Sequence, residues 1–184
     1  MTLGLWIGIG VVAILIIMAI VYYNRFIVVE NRIDNALSQI DVQLKRRADL
    51  IPDLVKTVKG YAKHEKEAIK EVTDSREKMM GAEDRQGKME ADNQLQSALK
   101  SIFAIAENYP DLKANENFRE LQNELTSTED KIAYSRQFYN DTVLNYNNMI
   151  ETFPANLFAN IYGRDERGYL QIEESAKKKP NVNF

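Results

Sequence analysis

From Leu3 to Tyr23 the chain reads LGLWIGIGVVAILIIMAIVYY, without one charged side chain. A helix of about 20 residues at ~1.5 Å rise spans ~30 Å, the thickness of a bilayer's hydrocarbon core. In lipid every backbone amide must be satisfied within the segment, so a single apolar segment can cross only as a helix. Trp6 stands near one edge of the run and Tyr22 and Tyr23 at the other, where amphipathic rings favour the interface. Arg25 follows at once, with a stem long enough to reach headgroups. A cleaved secretory signal would need a basic n-region, a shorter apolar core and a small-residue cleavage site. Only Met1 and Thr2 precede the run, and no such site follows it. We therefore expect a short tail at 1–2, a retained transmembrane helix at 3–23 and a domain beyond it.

Arg25, Arg32, Lys45, Arg46 and Arg47 all lie on the C-terminal side of the run and no basic residue lies on the other. The positive-inside bias thus predicts an outside N-terminus and a cytoplasmic domain. Gly4 and Gly8 form a small-xxx-small pair, a candidate for close packing of two such helices.

The remaining chain is charged and poor in breakers. It balances 24 basic against 27 acidic residues, and the whole sequence has only 8 Gly and 4 Pro. That balance does not suit a nucleic-acid binder, which needs a basic face for phosphate. With no cysteine, disulfides and thiolate metal sites are impossible.

Between 24 and 80 the only strong breaker is Pro52. Ile33, Leu37, Ile40, Leu44, Ile51, Leu54, Val58, Tyr61, Ala68, Val72 and Met79 recur in steps of three and four, the pattern of a helix with one buried seam. The register crosses Pro52, so the spacing predicts one rod over 24–80, kinked where the proline removes a hydrogen bond. Gly81 and Gly87 bracket a polar connection. A helix over 88–109 then carries Leu95, Leu99, Ile102, Ala106 and Tyr109 on one face, and Pro110 stops it. Asn117 with Glu120 resembles a capping box opening a helix over 117–153. Its seam runs through Phe118, Leu121, Leu125, Ile132, Tyr139, Tyr146, Met149 and Phe153, with Thr128, Ser135 and Thr142 between. Those hydroxyls require partners. A short turn or helix over 154–162 precedes a polar, loosely ordered tail over 163–184 that contains Lys177, Lys178, Lys179 and Pro180. The predicted fold is all-α: one transmembrane helix, then an antiparallel bundle of three to four long helices over 24–162.

The residues suggest no catalytic centre. His64, the single histidine, is followed at the fifth position by Ala68, so a zinc-protease helix is absent. No Gly-rich phosphate loop exists, and one histidine cannot furnish a paired Glu-x-x-His metal bundle. No cofactor and no metal ligand are expected. Two features stand out. Arg47 falls on the apolar seam, where a charge is costly unless paired. Its stem is expected to pack while its head reaches water or an acidic residue of the last helix; the alternative is a docking patch for a partner or for anionic lipid. Tyr139-Asn140 and Tyr146-Asn147 repeat seven residues apart on one face. They are expected to be core tyrosines with asparagines bonding across helices.

The strings QLKRRADLIPDLVKTVKGYAKHE (Gln43 to Glu65), AENYPDLKAN (Ala106 to Asn115) and YNDTVLNYNNMIETFPANLFA (Tyr139 to Ala159) closely resemble the LemA family, and the ending PNVNF is similar to that family's C-terminus. The resemblance runs over nearly the whole chain. It implies a bacterial inner-membrane protein with a helical-bundle domain facing the cytoplasm. It also implies a link to a heat-shock-type membrane metalloprotease, and relatives that shape intracellular membranes. It supplies no catalytic residue. The candidate interaction or structural residues are Gln43, Arg46, Arg47, Asp49, Pro52, Asn108, Tyr109, Pro110, Tyr139, Asn140, Tyr146 and Asn147.

The expected function is that of a non-catalytic membrane-anchored scaffold or adaptor. Its expected partners are the lipid bilayer, another membrane protein (a membrane metalloprotease among the candidates) or a second copy of itself. The alternatives are an oligomer that organises or remodels the membrane and, third, an enzyme using Tyr139, Tyr146 or Arg47.

Overall fold

The computed structural model describes residues 2–170. Within them the chain is all-helical: α1 (Thr2–Tyr61), α2 (Lys66–Gly81), α3 (Arg85–Ala106), α4 (Pro110–Ala114), α5 (Glu116–Glu151) and α6 (Ala155–Ile161). The expected tail residues from 171 onward, including Lys177 to Pro180, lie outside the described residues.

α1 is a single helix of 60 residues. Its apolar first part is long and apolar enough to cross a membrane, and none of its most apolar window is buried against the rest of the chain. The helix then continues without a break. Pro52 lies within it and neither ends nor reverses it.

The expected rod over 24–80 is corrected here. The helix ends at Tyr61, and 62–65 turns the chain into α2. The physical cause is visible in the burial pattern. Ala62 is wholly buried, and Ile69 replaces the expected Ala68 on the buried face of α2. Arg76 of α2 bonds the Ala48 carbonyl of α1, so α2 runs back along α1 rather than extending it. The heptad register survived this reversal because both helices bury one face in the same core. Nothing in the local string KHE is a strong turn signal, so periodicity alone read through it.

Three further boundaries differ. Pro110 does stop the third helix's neighbourhood, but it also opens α4, where its missing N–H costs nothing at the first position. The cap of α5 is Asn115, whose Oδ1 accepts from Phe118 N at 2.9 Å; Asn117 lies one residue inside the helix. Phe153, expected on the seam, lies beyond the end of α5 and is 80% exposed.

The chain forms two compact units. One comprises 38–135, the other 1–37 with 136–184. In the first unit, Lys88 pairs with Asp41 and Arg47 with Asp92, while Tyr109 reaches Glu65, so α3 runs parallel to α1. Glu124 pairs with Arg46 and Asn115 reaches Tyr61, so α5 runs antiparallel. With α2 this is an up-down-up-down bundle over Ile40, Leu44, Ile51, Leu54, Leu95, Ile102, Phe118 and Leu125. In the second unit the α5 end, α6 and an extended segment over 164–170 pack against the 19–37 part of α1.

Candidate functional site

The first unit is organised by a buried polar centre at the QLKRRADLIP string. Arg47 is 2% exposed. Its Nη1 donates to Asp92 Oδ1 at 2.7 Å, and its Nε to Thr128 Oγ1 at 3.3 Å. Thr128 donates its own hydroxyl hydrogen bond to the Leu125 carbonyl at 2.7 Å. One guanidinium thus ties α1 to α3 and to α5. The acidic partner is Asp92 of the third helix, not a residue of the last helix, which contributes a hydroxyl instead. The arginine is withdrawn from the surface, which leaves no docking patch at that side chain. Its neighbour Arg46 is exposed and pairs with Glu124 at 2.6 Å.

Pro52 belongs to the same centre. A proline has no N–H, so the carbonyl four residues earlier loses its helical donor. That carbonyl is Ala48, and Arg76 Nε donates to it at 2.7 Å. The bond absent from α1 is replaced from α2. Gln43 is half-buried, and its Oε1 has no hydrogen-bond partner among the described residues. Asp49 and Pro52 are exposed, as are Asn108 and Pro110. Tyr109 donates to Glu65 Oε1 at 2.9 Å, closing the α1–α2 turn onto the end of α3. That hydrogen bond, followed by burial and the Glu65 charge, raises the Tyr109 pKa above 10.0.

The Tyr-Asn repeat forms the second centre, in the other unit. Asn147 Nδ2 donates to the Arg167 carbonyl at 3.0 Å, and its Oδ1 accepts from Arg167 N at 2.9 Å. Asn140 treats Leu170 identically, at 3.0 and 2.9 Å. Each amide therefore pairs with one residue's backbone as a neighbouring strand would. The spacings match: seven helical residues rise ~10.5 Å, and three extended residues span ~10 Å. Tyr139 donates to the Gly168 carbonyl at 2.9 Å between the two asparagines. Leu170, 8% exposed, anchors the segment's far end.

The asparagines were expected to bond across helices, and 163–170 to be loose. Both expectations are corrected: the asparagines hold that segment, and it is fixed along α5. Its polar composition concealed this, because the partners are backbone groups, which any sequence offers. The signals present were the seven-residue repeat itself and Leu170.

Glu30 completes the second centre. It accepts from Tyr146 Oη at 3.1 Å and from Arg164 Nη1 at 2.9 Å, with Arg167 at 4.0 Å. Burial, then the Glu30 charge and its hydrogen bond, raise the Tyr146 pKa above 10.0, against the lowering effect of the two arginines. Gly163, at φ 61°, makes the turn that brings Arg164 there, and the Arg164 N–H closes it on the Ala159 carbonyl at 3.0 Å. No local pattern singles out Glu30; its role depends on the tertiary placement of Tyr146 and Arg164.

Both centres hold one part of the chain to another. Tyr139, Tyr146 and Arg47, the three candidates for unrecognised chemistry, each make hydrogen bonds in these contacts. Among the described residues no three His, Cys, Asp or Glu side chains gather as a metal site. Open clefts among the described residues include a groove of about 580 Å³ beside Asp53, Tyr61, Asn117 and Glu124, and one of about 490 Å³ lined by Lys59, Lys63, Lys66 and Lys70. Gly4 and Gly8 have no atom within 4 Å of where a Cβ would stand, so that face of α1 is open.

The chain is 30% identical to protein LemA of Metamycoplasma hominis over 71% of its length and 60% of that protein's. It is 25% identical to magnetosome protein MamQ 2 of Paramagnetospirillum magneticum, over 81% of this chain and 64% of the relative. The figure is again 25% for magnetosome protein MamQ of Magnetospirillum gryphiswaldense, over 77% and 61%. The chain thus spans about three-fifths of the length of these curated relatives. The LemA family model matches residues 36–184, which takes in the Arg47 centre and the Tyr-Asn repeat and leaves out Glu30 and the apolar part of α1. With a match over that span, this chain, all-helical among its described residues and opening on a helix apolar enough to cross a membrane, belongs to the LemA family.

Proposed function

We propose that the protein is a membrane-anchored scaffold or adaptor whose helical domain acts on a membrane-protein partner or on a second copy of itself. The observation that carries this reading is α1: one helix runs from the lipid-facing segment into the core of the domain. A helix that continues from the apolar segment into the domain suits a scaffold held at the membrane. The polar groups most deeply placed in the domain are spent on holding its own helices.

The positive-inside bias of Arg25, Arg32, Lys45, Arg46 and Arg47 supports a cytoplasmic domain, and the family resemblance supports a bacterial inner membrane. A membrane metalloprotease is the partner that the family resemblance puts forward first. Two tests bear on this. A topology reporter fused after Phe184 should read cytoplasmic; a reading on the other side overturns the orientation. Purification of the full chain from gently solubilised, crosslinked native membranes should recover a second membrane protein or crosslinked multimers. Free monomer alone, with and without crosslinker, overturns the scaffold.

A second reading, an oligomer that organises the membrane, is favoured by the open Gly4–Gly8 face. In that case Gly4→Leu with Gly8→Leu should abolish the crosslinked multimers. If the multimers persist, the association does not run through the span.

A further inference from the structure

We propose that the protein touches the bilayer twice: besides α1, the turn over 152–163 that contains α6 rests in the boundary between headgroups and acyl chains. The occupant of its exposed apolar face is lipid.

The segment reads TFPANLFANIYG and carries no charge, although Glu151 and Arg164 bracket it. One face is buried through Ala155, Phe158 and Ala159. The other exposes three large apolar side chains at four-residue steps: Phe153 at 80%, Leu157 at 53% and Ile161 at 73%. An uncharged turn with three such groups facing water would be an unusual surface for a chain that is 28% charged.

Its depth is fixed by α1. The Phe158 ring stacks on Tyr22 with centroids 5.1 Å apart. Tyr162 packs edge-on against Tyr23 at 5.3 Å, and its hydroxyl donates to the Ala19 carbonyl at 2.9 Å. Ala19 lies inside the uncharged run, more than a helical turn before Arg25. The turn is therefore level with the last residues of the span, and its apolar face continues the lipid-facing surface of α1. The first charged residue after it, Arg164, has already climbed to Glu30. Aromatic rings at that height, Tyr22, Tyr23 and Tyr162, fit an interfacial belt. Two contacts around one spanning helix would set its rotation and tilt, which a lone span leaves free.

The test uses the full chain in nanodiscs that hold no more than one copy. Trp6 is the single tryptophan, so Trp6→Phe with Leu157→Trp reports one position. Leu144→Trp in the same background is the comparison, since Leu144 is 47% exposed but lies on α5, away from this turn. In lipids brominated close to the headgroup, the Trp at 157 should emit at shorter wavelength and be quenched several-fold more than the Trp at 144. Ile161→Trp should behave like Leu157→Trp, which guards against a local fault of one variant. Equal, weak quenching at all three positions overturns the proposal. So does a blue shift at 157 that arises only when discs carry two or more copies, because the occupant would then be a second chain.

Discussion

The two units solve the problem of polar groups in opposite ways. In the 38–135 unit, side chain meets side chain: Arg47, Asp92 and Thr128 form a buried knot whose every member is specific. In the unit of 1–37 with 136–184, Glu30 does gather Tyr146 and Arg164, but the asparagine clamp meets backbone: Asn140 and Asn147 grip Leu170 and Arg167 without regard to what those residues are. The first arrangement fixes which helices pack. The second fixes only where an extended segment lies. Loss of a member should thus unfold the first unit but merely release a segment from the second.

The largest effect belongs to the knot. Asp92→Ala leaves Arg47 charged and buried without its carboxylate, and should cost about 3–5 kcal/mol. A melt of the full chain in detergent micelles should register this as loss of the domain transition. Arg47→Met with Asp92→Leu should recover most of it, since apolar replacement of both partners is nearly neutral. Failure of that pair to recover would mean that the knot does more than join helices.

Asn140→Ala with Asn147→Ala removes the four amide–backbone bonds of the clamp. Exchange at the Arg167 and Leu170 amides should rise to that of an open chain, while global stability falls by about 1–3 kcal/mol, on the scale of hydrogen bonds left unmade. Global unfolding comparable to Asp92→Ala would erase the contrast between the units.

The Arg76–Ala48 bond sharpens the same distinction, being a side chain-to-backbone contact inside the knot's own unit. Arg76→Ala should cost about 1–2 kcal/mol with Pro52 present. With Pro52→Ala the restored N–H satisfies the Ala48 carbonyl, and the same substitution should cost measurably less. Equal costs in both backgrounds would show that Arg76 acts elsewhere.

Tyr146 offers a pH handle on the second unit. Its folded pKa is raised by burial and by Glu30, so the folded state holds the proton more tightly than the unfolded one. Stability from this group is present below pH 10.0 and is lost as pH rises through the folded value. Tyr146→Phe should flatten the alkaline fall in stability above that point; an unchanged slope contradicts the assignment. The smallest effect is at Arg46, whose ion pair with Glu124 is 49% and 43% exposed. Arg46→Ala should shift stability by less than about 1 kcal/mol, and less again at high salt.

Much of the architecture was legible because apolar period reports burial directly. Ile33, Leu37, Ile40, Leu44, Ile51, Leu54 and Val58 were read as one seam and are buried. What period cannot report is direction. Ile69 and Val72 continue a heptad after α1 has ended, because a helix that doubles back buries a stripe of the same spacing. The charged seam position was legible as an anomaly at Arg47, but its partner was not: Asp92 lies on a helix whose rotation about its axis no local pattern fixes. Arg76 was invisible for a related reason, since its partner is a backbone carbonyl. The asparagine repeat was noticed, yet its ligand was sought among helices, where an amide pair has no row of free backbone groups to meet.

The central claim is that α1 crosses lipid and carries on, unbroken, into the domain. The chain has no cysteine, so single cysteines from residue 5 to residue 60 can each take a spin label without background. In reconstituted bilayers, collision with oxygen should dominate through about residue 21 and collision with a polar nickel reagent beyond it. Mobility beyond that border should keep a helical period, ~3.6 residues, as far as Tyr61. Loss of that period near residues 24–30, or nickel access along the whole apolar run, would contradict the account.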